Sequence, residues 1–245
     1  MNYSKFLLLI LVSLMSSACT KYTTVRHTIG YQEVLSQRDV VVLPTDSIVH
    51  TIDIANKKTR MYDYEFYIEG LINEEITDSL RNLGLSPKRL SRQEIFDQNL
   101  TTPVNIVRYN YEEAYKELYA KPVWEEKDAF IISNTIGSVG TEIADKTNSK
   151  IVAIINHSRF AQTNGAMARD AVISLFTGTS NAAPSDLSSL NIAFIELKTG
   201  RILWTNTGSV PRSIFTKAST NEELDRKEIK QLISTTLKPF KKEEQ

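Results

Sequence analysis

Cys19 is the only cysteine in the 245-residue chain. No internal disulfide can form, and its thiol is left for other chemistry: nucleophilic attack, metal ligation or acylation. The side chains that titrate nearest neutrality are His27, His50 and His157. No two of them stand at the His-x-x-x-His spacing that sets two imidazoles on one face of a helix. There is no Gly-x-Ser-x-Gly elbow to expose a serine nucleophile. "GSVGTE" and "FTGTSNAAPSD" carry glycines but lack the Gly-Lys-Ser/Thr ending of a phosphate loop. The carboxylate pairs Glu74-Glu75, Glu112-Glu113 and Glu125-Glu126 fall on or near helical stretches and read as solvated faces. No catalytic residue, metal or cofactor is therefore assigned, and a non-enzymatic role is expected. A hydrolytic site that the fold assembles from distant residues stays open, because a Ser-His-Asp geometry leaves no mark in linear spacing.

The elements around Cys19 decide what its thiol does. Lys5 gives a short positive start, and Phe6 to Met15 is apolar without a charge. Spanning a bilayer takes about 20 apolar residues, so this shorter run reads as a signal peptide over residues 1–18. Ser16, Ser17 and Ala18 are small and stand directly before the cysteine. That arrangement resembles the lipobox of bacterial lipoproteins, with Ser16 where the motif commonly has Leu. The resemblance implies that Cys19 is acylated and becomes the mature N-terminus; acyl chains, at about 0.8 kcal/mol per buried methylene, then hold the protein to a membrane. Thr20 follows where Asp would favour the inner membrane, which points to the periplasmic face of the outer membrane. A secretory signal with an incidental cysteine is the alternative. Lys plus Arg equals Asp plus Glu at 29 each, so there is no basic excess to draw the chain onto nucleic acid.

Residues 19–37 read as a polar tether containing a short helix or strand. Val40-Val41-Val42-Leu43 suits a strand buried on both faces, which Pro44 ends or bulges. Ile68, Leu71, Ile72, Ile76, Leu80 and Leu83 form one stripe of a helix, with Asp63 as its expected N-cap and Gly84 just past its end. "SPKRL" reads as a short strand. Ser91 and Glu94 then have capping-box spacing at the start of a second helix. Tyr111, Tyr115 and Leu118 share a helical face before Pro122. "GSVGTEIADKTNSK" reads as a short helix and "KIVAIINHSRF" as a second buried strand. "IELKTGRILW" is a hairpin. Leu224, Ile229, Leu232, Ile233 and Leu237 line a last helix that Pro239 is expected to close. The expected fold is one α/β layered domain over residues 38–240, a mixed sheet of about four to five strands packed by helices, with a C-terminal hairpin and helix. Residues 161–187 read as an insert rich in Gly, Ala, Ser, Thr and Asn, and 241–245 as a charged tail.

The order of "VVVLP", a long amphipathic helix, "LSRQEI", "GTEIADKTNSKIVAII" and "IELKTGRILW" behind such a leader resembles a superfamily of envelope lipoproteins with a TolB-N-terminal-like α/β domain. It includes the curli-secretion lipoprotein and the lipoprotein activators of penicillin-binding proteins. The resemblance covers about residues 38–240. It implies a lipid-anchored accessory protein that binds a protein partner of the envelope or a second copy of itself. An oligomeric secretion channel is the alternative, although residues 161–187 lack the alternation over about 9–11 residues that a membrane strand needs. The candidate interface residues are the apolar island Val172, Ile173, Leu175 and Phe176, and the aromatic Tyr111, Tyr115 and Trp124. Trp204 is expected to be structural, covering the hairpin against the last helix.

Overall fold

The computed structural model describes residues 22–36, 39–120, 123–124, 131–163, 165–166, 187–211 and 222–242. Cys19, the residues before it, the apolar island of Val172, Ile173, Leu175 and Phe176, and the side chain of Trp124 lie outside them. The described strands are β1 (Tyr22–Thr23), β2 (Arg26–His27), β3 (Asp39–Val42), β4 (Asp46–Ile52), β5 (Lys58–Arg60), β6 (Ser86–Arg89), β7 (Val123–Trp124), β8 (Ile151–Gln162), β9 (Leu187–Glu196) and β10 (Ile202–Pro211). The helices are α1 (Tyr31–Leu35), α2 (Tyr62–Asn82), α3 (Arg92–Asp97), α4 (Thr101–Leu118), α5 (Thr141–Thr147) and α6 (Glu222–Lys242).

The fold is mixed α/β, and among the described residues its main sheet has eight strands where about four to five were expected. The surplus comes from short strands with no apolar alternation to announce them, such as Lys58–Arg60. Strand order is β2-β10-β9-β8-β3-β6, with β4 on β8 and β5 on β4. β6, β3 and β8 run parallel, whereas β8, β9 and β10 form an antiparallel meander. A two-stranded sheet of β1 and β7 stands apart. Helices α2 and α6 cover one face over a core that includes Val40, Val42, Ile72, Ile76, Phe194 and Trp204. Helices α3, α4 and α5 cover part of the other face over Val41, Leu43, Val152, Ile154 and Ile195. Val40, Val41 and Val42 are buried because β3 is flanked on both edges and covered on both faces.

The local signals are obeyed where they are local. Ser91 and Glu94 make the reciprocal capping box at α3. Gly84 takes φ 79° after α2, and the Leu85 N–H donates back to the Leu80 carbonyl at 3.1 Å, the six-to-one bond of a Schellman end. On α2, Ile68, Leu71, Ile72, Ile76 and Leu80 are buried; burial of such a side chain contributes about 1.5–3 kcal/mol. Two boundaries differ. Helix α2 starts at Tyr62, before Asp63, with Met61 at the N-cap position and no side-chain cap. Helix α6 runs through Pro239 to Lys242. Its Phe240 packs with ring centroids 5.4 Å from Trp204 and 5.6 Å from Phe194, and this packing outweighs the proline's missing N–H.

Candidate functional site

Pro44 is the device that builds the site. Val42 is in register with Ala153, and Asp46 with Asn156. The β3–β4 line therefore holds one more residue than β8 between these pairs, a bulge at Leu43-Pro44-Thr45. The extra residue reverses the alternation. Val40 and Val42 face α2 and α6, and beyond the bulge so do Ser47 and Val49, while Asp46 and Ile48 are turned to the α4 side. Helices on both faces hold the bulge. From one side Arg108 Nη2 donates to the Pro44 carbonyl. From the other the Asn73 Oδ1 accepts from the Thr45 N–H at 3.0 Å and from its hydroxyl at 2.7 Å.

Beyond α4 the sheet carries two rows of side chains across four strands. The register aligns Asp46, Asn156, Asn191 and Thr207 in one row, and Ile48, Ser158, Ser189 and Ser209 in the next. Seven of these eight side chains are polar, on a sheet whose neighbouring row contains Ile154, Ala193 and Thr205. Together with Arg108, Glu112, Tyr115 and Lys116 of α4, most of them line a concavity of about 360 Å³. Its back is saturated with hydrogen bonds. The Tyr111 hydroxyl donates to Asn191 Oδ1 at 2.7 Å and lies 2.7 Å from Thr205 Oγ1. The Asn191 Nδ2 donates to Thr205 Oγ1, Thr207 Oγ1 and the Asn206 carbonyl, each at 3.1 Å. Ser189 and Ser209 pair at 2.8 Å. The side chains of Asn156 and Ser158, half-buried on the central strand, have no hydrogen-bond partner among the described residues.

The wall is charged but balanced. Lys116 pairs with Glu113 at 2.7 Å and Glu112 at 3.4 Å. Arg108 lies 3.9 Å from Asp46; burial holds its guanidinium below the ordinary arginine pKa, and the Asp46 carboxylate opposes that shift. The lining of the concavity itself holds two cations, Arg108 and Lys116, and two carboxylates, Asp46 and Glu112, beside its amides and hydroxyls.

A second polar group lies on the opposite face, under α2 and α6. His157 is buried, with Ser47 Oγ 2.8 Å from Nδ1 and Ser188 Oγ 3.1 Å from Nε2. Burial, reinforced by the Arg159 charge, pushes its pKa down to about 3, so the ring is neutral at pH 7. Beside it Arg159 donates to the Tyr64 hydroxyl at 2.7 Å, and Tyr64 donates to Asp225 at 2.8 Å. Burial raises the carboxyl pKa of Glu228. His157, between Asn156 and Ser158 on β8, also borders the concavity, whereas Ser47 and Ser188 do not. Their geometry is that of a tie across three strands: His157 of β8 is held between serines of β4 and β9.

The aromatic candidates separate. Tyr111 is wholly buried, so its side chain has no surface to offer a partner. Tyr115 is half-buried at the concavity, its hydroxyl 3.3 Å from Thr207 Oγ1. The ring of Tyr115 stacks toward Tyr119 at 4.5 Å, and the Tyr119 hydroxyl donates to the Thr24 carbonyl at 2.8 Å. The tyrosine stripe is thus the seam that docks α4 on the sheet and the N-terminal segment. Trp124 belongs to β7, in register with Tyr22. Trp204 is buried against Phe240 of α6 as expected. Among the described residues no cluster of three His, Cys, Asp or Glu is placed to hold a metal, and no helix is long and apolar enough to cross a membrane.

Asn156, Ser158, Ser189, Asn191 and Thr207 were not singled out by spacing. The first four lie in "INHSRF" and "LSSLNIAF", where polar residues interrupt runs that otherwise read as buried strands.

This is an α/β sheet with one face closed by helices and half of the other bearing an ordered polar surface. No family model matches the chain, and no curated protein matches it. Among solved structures it is similar to the PelC dodecamer from Paraburkholderia phytofirmans, at 10% identity over 81% of this chain and 88% of that one, with a TM-score of 0.37. It is also similar to the LpoB C-terminal domain from Salmonella enterica, at 12% identity over 74% of this chain and 93% of that one, with a TM-score of 0.26. Both scores are below 0.5, and the functional reading rests on the residues of this chain.

Proposed function

We propose that this is a non-enzymatic accessory protein, anchored by an acylated Cys19 to the periplasmic face of the outer membrane. It binds a protein partner of the cell envelope through the polar half of its sheet that no described helix covers. The observation that carries the reading is the pair of cross-strand rows, in which the side chains of Asn156 and Ser158 are half-exposed and make no hydrogen bond among the described residues. A surface of amides and hydroxyls with balanced charges suits recognition, because each free donor and acceptor is satisfied by a complementary partner and by water otherwise.

Two measurements test it. Cys19→Ala should release the protein from the membrane fraction; a variant that stays membrane-bound removes the anchor. A photo-crosslinker placed at Ser158 in intact cells should capture an envelope protein, whereas one at Lys88, on the strand at the far sheet edge, should not. Capture of nothing from Ser158, or of the same proteins from both positions, overturns the binding surface.

A further inference from the structure

We infer that the concavity holds an extended, uncharged polypeptide segment laid along β8, with Asn156 and Ser158 reading its main chain. The inference rests on the binding role proposed above and names the chemistry of what is bound. Asn156 offers a carbonyl acceptor and two N–H donors, the same complement that a peptide group presents in reverse. Ser158 follows two residues later on the same strand. Side chains at that spacing are about 6.6–6.8 Å apart along a strand, which is also the two-residue repeat of an extended segment lying beside it. A peptide along β8 therefore meets one of these side chains at every second residue.

The described surroundings favour it over the other ligand classes. Among the lining residues the cations Arg108 and Lys116 are matched in number by the carboxylates Asp46 and Glu112, so the described lining has no excess charge to select an ionic ligand. Ile48 is the only aliphatic side chain in the two rows, so an apolar segment finds little area to cover. A sugar ring is favoured by a free aromatic face, and the nearby rings among the described residues are engaged. Tyr115 packs between Tyr111 and Tyr119 at 6.2 and 4.5 Å. Phe160 stacks on His50 at 5.6 Å, with Lys58 Nζ 5.1 Å from its centroid. The cavity, about 360 Å³, falls within the range of about 300–1,000 Å³ over which ligand pockets occur.

The test is selection of a random phage-displayed peptide library on the purified protein, followed by titration of the synthetic peptides. The expected winners are uncharged and rich in Asn, Gln, Ser, Thr and Gly, and they shift the Asn156 side-chain amide resonances. Asn156→Asp and Ser158→Ala should each weaken them about tenfold, the equivalent of one or two hydrogen bonds. Arg89→Ala, outside the concavity, should leave binding unchanged. Neither side chain hydrogen-bonds to another described residue, so both variants should melt as the parent does; if Asn156→Asp does not, Ser158→Ala decides. No enriched peptide, peptides that bind both variants as tightly as the parent, or Asn156 shifts produced only by soluble glycan fragments would each overturn the inference. Envelope crosslinks at Ser158 with no peptide binding would remove this inference alone and leave the anchored binding role standing.

Discussion

At the scale of single residues, two buried polar groups show how non-local pairing is made to hold. Tyr111 spends its hydroxyl on Asn191 and Thr205. Tyr111→Phe keeps the ring and its packing but leaves Asn191 Oδ1 without its donor. The expected cost is about 1–2 kcal/mol, read as a lowered urea midpoint. His157 makes a pH-dependent contribution. Its native pKa is pushed down to about 3 from 6.5, so between those values the unfolded chain takes up a proton that the native chain refuses. Stability is full above about pH 6.5 and falls with acidification, by about 1.4 kcal/mol per pH unit from this residue within the window. Urea unfolding at a series of pH values should show that slope, and His157→Gln should flatten it while lowering stability at pH 7. These two residues also mark what sequence could show of the site. The tyrosines of α4 stand out as a helical stripe, yet whether such a stripe is core or surface depends on what lies opposite. The serines on either side of His157 come from strands far away in the chain.

At the scale of elements, local chemistry carries far. The capping box at Ser91, the left-handed Gly84 and the β9–β10 hairpin are where short-range spacing puts them. Asp63 and Pro239 are not, because each boundary is set by contacts outside its own element, as the packing of Phe240 shows. The α6–β10 contact is close enough to test. A Cβ on Gly208 would fall 2.2 Å from Thr236 Oγ1 and 3.0 Å from the Thr236 Cα. Gly208→Ala should lever α6 off β10 and cost about 1–3 kcal/mol in thermal or urea unfolding. Gly70 is exposed within α2, and a Cβ there would meet nothing within 4 Å. Gly70→Ala should stabilise by about 0.5–1 kcal/mol through helix propensity. Opposite signs for two chemically identical changes would confirm that packing, rather than glycine itself, sets the result.

At the scale of the whole molecule, the described helices close the sheet on one face, by α2 and α6, and only partly on the other. The closed face depends on the last element. A chain stopped at residue 221 would strip α6 from Phe194 and Trp204, both wholly buried. It should bind a hydrophobic dye and lose cooperative melting; retention of a sharp transition would show that α6 is dispensable. What the sequence by itself determines is what neighbouring residues can settle: one cysteine behind a short apolar run, the caps and turns, the amphipathic stripes, the α/β class. The polar surface was beyond its reach. Asp46, Asn156, Asn191 and Thr207 meet only because the one-residue bulge at Pro44 reverses the parity of β4 and because three further strands take a particular register. Register is decided by burial on the far face of each strand, and a one-residue slip would turn every one of these side chains into the opposite core. Tertiary structure alone therefore makes four scattered residues into one surface.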